Sequence, residues 1–149
     1  MLLTSLFALT SFFFPNLPPT YSSIPLPSSI TLSVTIDNCK NSKGKIYIAL
    51  YGSEETFMKE EKAVNKKIVS IENGVAKVAF AELSAKGYAF VFFHDENGNG
   101  KLDTNFLGIP TEGYGFSNNA RGTFGPPSYS KSRVILKEGV NRATVQLNY

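Results

Sequence analysis

Charge is missing from the first 36 residues; Asp37 is the first charged side chain. Within that region Leu2 to Phe14 (LLTSLFALTSFFF) forms an apolar run. It suits a signal-peptide core and is too short to span a bilayer as a helix. No Lys or Arg precedes the run, and Pro15 to Ser29 follows it, rich in Pro and Ser. Residues 1–29 therefore read as a signal peptide or N-terminal lead-in, and 30–149 as one domain. The expectation is export to the periplasm, cell surface or medium, with association to the cell envelope. A retained N-terminal anchor is the competing reading.

Cysteine is nearly absent. Cys39 stands alone in DNCKNSKG, so no intramolecular disulfide can form and the domain relies on its core. One His and one Cys exclude a typical transition-metal centre. No dense basic run occurs beyond Lys66-Lys67, and the net charge is only +3, which speaks against nucleic acid as a partner. The G-x-S-x-G, H-E-x-x-H and phosphate-loop patterns are absent as well. A hydrolase built on Glu112 and His94 is conceivable on residue type, but the chain is not expected to be an enzyme.

What remains is a pattern of strands. Ile30 to Ile36 alternates apolar and polar with period two. Lys45 to Tyr51 follows a polar turn, and the two look like a hairpin. Ser53 to Glu61 has a capping Ser and helix formers, predicting a short helix or turn. Lys67–Ile71 and Val75–Phe80 flank Asn73-Gly74, a strong hairpin signal. Tyr88 to Phe93 is a continuous apolar strand with both faces expected to be covered. Ser132–Leu136 and Ala143–Leu147 suggest a last hairpin. The prediction is all-β: a single antiparallel β-sandwich of about seven strands with one long irregular loop.

The loop begins with HDENGNGKLD. Asp95, Asn97, Asn99 and Gly100 match the opening of the calcium-loop formula D-x-[DN]-x-[DN]-G. Lys101 then needs to offer only its carbonyl, and Asp103 sits at the ninth position. A hard cation takes six to eight oxygens at about 2.3–2.6 Å, and alternating side chains on a curled loop can supply them. The twelfth position, normally a bidentate Glu, is Phe106, so this is not an EF-hand. Glu112 is the next carboxylate and the candidate last ligand. With two Asn in place of Asp, the expected Ca2+ affinity is weak, on the order of 10⁻⁴–10⁻³ M. An Asx-rich turn that hydrogen-bonds its own backbone explains the same residues without a metal.

Residues 108–129 carry no periodicity. Tyr114, Phe116, Asn118 and Asn119 combine aromatic faces with amides, a mix that suits a glycan or peptide partner. Alternatively the segment is a cover whose aromatics cap one end of the core.

Tyr88-Ala89, His94 to Asn105, Gly108 to Asn119 and Gly125 to Pro127 together resemble the bacterial domain-of-unknown-function 2141 (DUF2141) family. The likeness extends from about residue 30 to the end. Leu83-Ser84-Ala85-Lys86-Gly87 departs from it, standing where the family has a Leu-Pro-x-Gly turn. The resemblance implies an exported bacterial domain with an immunoglobulin-like or transthyretin (prealbumin)-like sandwich, and no biochemical activity. The D-x-N-x-N-G-x-x-D core is also similar to calcium loops of surface-adhesin B-type repeats, a likeness of fold and loop only.

Overall fold

A computed structural model describes residues 29–149. The apolar run Leu2–Phe14 lies outside the described residues. Eight strands form: β1 (Ile30–Asp37), β2 (Lys45–Tyr51), β3 (Asn65–Val69), β4 (Ala76–Leu83), β5 (Gly87–Asp95), β6 (Tyr114–Phe116), β7 (Val134–Ile135) and β8 (Val140–Gln146). One short helix, α1 (Tyr129–Ser132), precedes β7. Two sheets result. One has the order β4-β1-β8; the other runs β3-β2-β5-β6, with β7 also pairing β5.

Period-two alternation is what closes the core. Leu32, Val34 and Ile36 of β1 face inward with Ile46, Ile48 and Leu50 of β2. Phe80 of β4 and Tyr88, Phe90 and Phe92 of β5 meet them in a single buried cluster drawn from both sheets. Burial of this kind is worth about 1.5–3 kcal/mol per large side chain.

Two expectations about pairing need correcting. The turn at Asn73-Gly74 forms: φ is 51° and 78°, and Glu72 and Val75 exchange backbone bonds of 2.9 and 3.0 Å. The flanking strands then part, β3 into the larger sheet and β4 into the smaller. β1–β2 and β7–β8 likewise join different sheets and are not hairpins. A turn signal reports that the chain reverses; it says nothing about which sheet receives the next strand. The pairing is also not wholly antiparallel, since β8 returns parallel to β1 from Thr31↔Val140 to Asp37↔Gln146. Residues 53–61, where the sequence allows a short helix or a turn, form turns and the start of a 3-10 segment. Met58 sits at φ 62°, which cannot continue a right-handed helix. The bend brings Phe57 edge-on to Tyr51 at 5.7 Å between ring centroids.

β5 is the strand that positions the site. Its inner face ends in His94, fully buried, and its last residue is Asp95, 1% exposed. Its outer face is covered only in part. Phe57 packs with Phe116 and Tyr129 over one half. The other half is open above Tyr47 and Phe93, which stack at 5.1 Å and 15°.

Candidate functional site

The site is the turn that β5 feeds. Asp95 is the organising side chain. Its Oδ1 accepts the backbone N–H groups of Gly98 at 2.8 Å and Asn99 at 3.1 Å, and its Oδ2 accepts that of Gly100 at 2.8 Å. Three N–H donors explain how a buried carboxylate is tolerated there. They also force the chain into a coil tight enough that Gly98 and Gly100 both take φ 77°.

The next two polar residues each bond the backbone two positions on. Asn97 Oδ1 accepts Asn99 N–H at 3.0 Å, and Asn99 Oδ1 accepts Lys101 N–H at 2.8 Å. Their amide nitrogens converge on Asp103. Asn97 Nδ2 donates to Asp103 Oδ2 at 2.6 Å, and Asn99 Nδ2 donates to its two oxygens at 3.0 and 3.1 Å. The side-chain ends of Asn97, Asn99 and Asp103 thus meet at one point, with the amide N–H groups turned to Asp103 and the amide oxygens turned to the backbone.

Glu112 takes a different role from that of a plain ligand. It is buried, and its Oε1 accepts Glu96 N–H at 2.9 Å while Oε2 accepts Asp103 N–H at 3.1 Å. It clamps both ends of the loop together. Glu96 points away, to Lys40 at 2.7 Å and the amide of Asn41 at 3.0 Å. Burial pulls the Glu96 carboxyl upward, but these hydrogen bonds and the Lys40 charge outweigh it and hold the group below its ordinary value. Asp95, Asp103 and Glu112 face no Lys or Arg in an ion pair among the described residues. Nor do three His, Cys, Asp or Glu side chains cluster closely enough among the described residues to hold a metal by themselves. A cation here must draw on amide and backbone oxygens as well.

His94 does not face Glu112. Its Nε2 donates to Lys43 O at 2.7 Å, which fixes the tautomer, and its Nδ1 accepts from the Tyr149 hydroxyl at 2.8 Å. That hydroxyl accepts Lys40 N–H at 3.1 Å. Burial pushes Tyr149 upward, so it keeps the proton this bond requires. The network ties the last residue of the chain to the loop between β1 and β2. Gly44 in that loop passes so close that an added Cβ would lie 1.8 Å from Asp95 O. Cys39, within the polar stretch DNCKNSKG, is buried in the core cluster, and burial with the Asp37 charge raises its thiol.

The four aromatic-loop candidates do not share one open surface. Phe116 is buried and Tyr114 half-buried. Asn118 and Asn119 are exposed, yet Asn118 Nδ2 donates to Arg133 O at 2.9 Å and Asn119 Oδ1 accepts Gln146 N–H at 2.8 Å. Tyr129 is buried as a cover should be, whereas Phe124 is wholly exposed. Sequence reasoning missed two features. One is a groove of about 430 Å³ on the outer face of the larger sheet, floored by Tyr47, Ala49, Val91 and Phe93 and walled by Met58 and Leu102. The other is the exposure of Phe106, Leu107 and Ile109. Their signal was present as an uncharged apolar stretch, NFLGIP, inside a polar loop.

A family model described as "Uncharacterized protein conserved in bacteria (DUF2141)" matches residues 34–144, which span both strand sheets and the whole polar loop. No curated protein matches the chain significantly, and no solved structure does.

Proposed function

The chain belongs to the DUF2141 family of uncharacterized conserved bacterial proteins, and on that premise we propose that it is an exported, non-enzymatic binding or structural module whose 95–103 loop takes calcium. The fold is read as a sandwich of the immunoglobulin-like or transthyretin-like kind. In support stand the two sheets around one core and the crossing of β1–β2, β3–β4, β4–β5 and β7–β8 between them.

One observation carries the calcium reading. Three carboxylates, two of them buried, lie in one loop without an ion-pair partner among the described residues, and two amides converge on the third. Hydrogen bonds engage both oxygens of each carboxylate, but none of their donors is charged, so three negative charges stay uncompensated in the loop. Asp103, the Oδ1 atoms of Asn97 and Asn99, the Lys101 carbonyl and a free lone pair on Asp95 Oδ2 form a hard oxygen set of the type Ca2+ takes. Binding asks the two amides to release Asp103 and turn Oδ1 from the backbone N–H groups toward the cation. Glu112 supplies positioning and keeps one lone pair on each oxygen for the ion. The bound cation would tie the strand end to the long loop and so order a surface for a partner.

A calcium titration followed by backbone amide NMR tests this. Saturable shifts confined to residues 97–103 and 112, absent with magnesium, are the expected result. Small unsaturated shifts spread over all acidic side chains would sink the reading. A second reading is favoured by the groove over Tyr47 and Phe93, whose apolar floor and size suit a ligand. There the module grips a glycan or peptide without metal, in the groove and not on Tyr114, Phe116, Asn118 and Asn119.

A further inference from the structure

Residues 104–110 form a small projecting hairpin. Thr104 bridges to Pro110, and Thr111 N–H donates to Asp103 O at 2.9 Å. Asn105 holds the tip from inside. Its Oδ1 accepts Leu107 N–H at 2.9 Å and Ile109 N–H at 3.1 Å, and its own N–H donates to Ile109 O at 2.8 Å. The backbone is therefore fixed and cannot fold its side chains back. Phe106 is 95%, Leu107 68% and Ile109 55% exposed. No charged residue occurs from 104 to 111. Three large apolar side chains held out in water by a rigid tip call for an occupant.

We propose that this tip inserts into the interfacial layer of an anionic lipid bilayer. Two observations favour a bilayer over a protein. The tip offers apolar area on the order of 400 Å², about half of what one partner contributes to a stable protein interface. Charge supplies the second. The tip springs from the end of the molecule where the β1–β2 loop meets Asp95, since Lys45 pairs with Asp95 and Lys43 O receives His94. There Lys43, Lys45 and Lys101 are exposed and form no ion pair among the described residues. The acids at that end keep their charge but are turned inward or held within the loop, so the lysines are the charges most exposed to solvent. Glu96 pairs with Lys40, Asp95 and Glu112 are buried, and Asp103 receives two amides. Apolar side chains flanked by free lysines match the boundary between acyl chains and anionic headgroups. The tip is held by protein groups alone, so this inference stands whether or not a cation occupies the 95–103 loop.

The chain contains no tryptophan, so Phe106→Trp in the full chain creates a single reporter at the tip. Ile135→Trp is the control; Ile135 is 59% exposed and pairs with Gly87, at the far end of β5 from Asp95. Vesicles of phosphatidylcholine with phosphatidylglycerol, some brominated in the acyl chains, are added in EDTA at low salt. Phe106→Trp emission should shift blue and be quenched by the brominated chains, more weakly without phosphatidylglycerol. Ile135→Trp should not respond. Leu107→Ser, added to Phe106→Trp, should weaken the response about tenfold. Because the reporter reads the tip itself, the apolar Leu2–Phe14 run cannot imitate the result. Unchanged Phe106→Trp emission would overturn the proposal and leave a protein pocket as the occupant. Equal responses from both reporters would overturn it too, since the molecule would then adsorb by another face.

Discussion

Glu112 reaches back sixteen residues to accept the backbone N–H of Glu96 at 2.9 Å. Its other oxygen takes the N–H of Asp103, so one buried carboxylate sets the distance between the start and the end of the polar loop. Whatever the loop binds, Glu112 determines its shape.

Glu112→Ala should therefore destabilise the fold with or without calcium. It leaves two backbone N–H groups without their acceptor, and hydrogen bonds to a charged group are worth about 1.5–3 kcal/mol each before relaxation or water entry. Glu112→Gln should lose less, because one acceptor oxygen survives. Urea denaturation in EDTA measures both; equal, negligible losses would show that the clamp contributes nothing.

Asp103 separates structure from binding. It is only half-buried and holds side-chain amides, not the coil of the backbone. Asp103→Asn should remove calcium-dependent stabilisation while shifting stability in EDTA by less than about 1 kcal/mol. Asn97→Asp with Asn99→Asp should act oppositely. Two added charges raise calcium affinity and lower stability in EDTA through like-charge repulsion around Asp103. Thermal melts in the two buffers read both effects.

The C-terminal latch gives a third test. Tyr149→Phe takes the hydroxyl from between His94 Nδ1 and Lys40 N–H, leaving a buried ring nitrogen without a donor. The expected loss is about 1–3 kcal/mol. Amide exchange at Lys40 and across the β1–β2 loop should quicken with it. Unaltered exchange would mean that the latch does not hold that loop.

Acid should weaken the molecule through Glu96. Burial raises its carboxyl, but hydrogen bonds from Lys40 and Asn41 outweigh that and hold it below its ordinary value in the fold. A depressed folded value contributes stability that is present above the unfolded value and lost as pH falls through the folded one. Stability between pH 5 and about pH 3 should thus fall less steeply in Glu96→Gln than in the parent. Parallel curves for the two proteins would show that Glu96 gains nothing on folding.

The strands and the polar loop were legible in the sequence because their signals are local. Ile30–Ile36 alternates over a few residues, and Asp95, Asn97, Asn99 and Gly100 state a coil in six. What was not legible depends on distant partners. Asn73-Gly74 announces a turn, but pairing with distant strands, β3 with β2 and β4 with β1, places the two in different sheets. β6 is three residues long and exists because Val91, Phe92 and Phe93 offer it an edge. Ser53–Glu61 has helix-forming residues, yet packing of Phe57 on Tyr51 and Tyr129 overrides that preference. Glu112 was readable as an acid near the loop, but not as a clamp, since its partners are backbone groups. Phe106 could be seen to break the calcium formula; that it stands in water together with Leu107 and Ile109 required the fold.

The most direct test of the calcium claim is the melting temperature of the full chain in EDTA, in calcium and in magnesium, with Asp103→Asn alongside. At a hundredfold excess over Kd, binding to the folded state alone adds about 2.7 kcal/mol, which moves the midpoint by several degrees. The account predicts that rise with calcium, little with magnesium and none in Asp103→Asn. Identical midpoints at calcium concentrations of about 10 mM and above would contradict it, and the loop would then be a hydrogen-bonded turn that holds no ion.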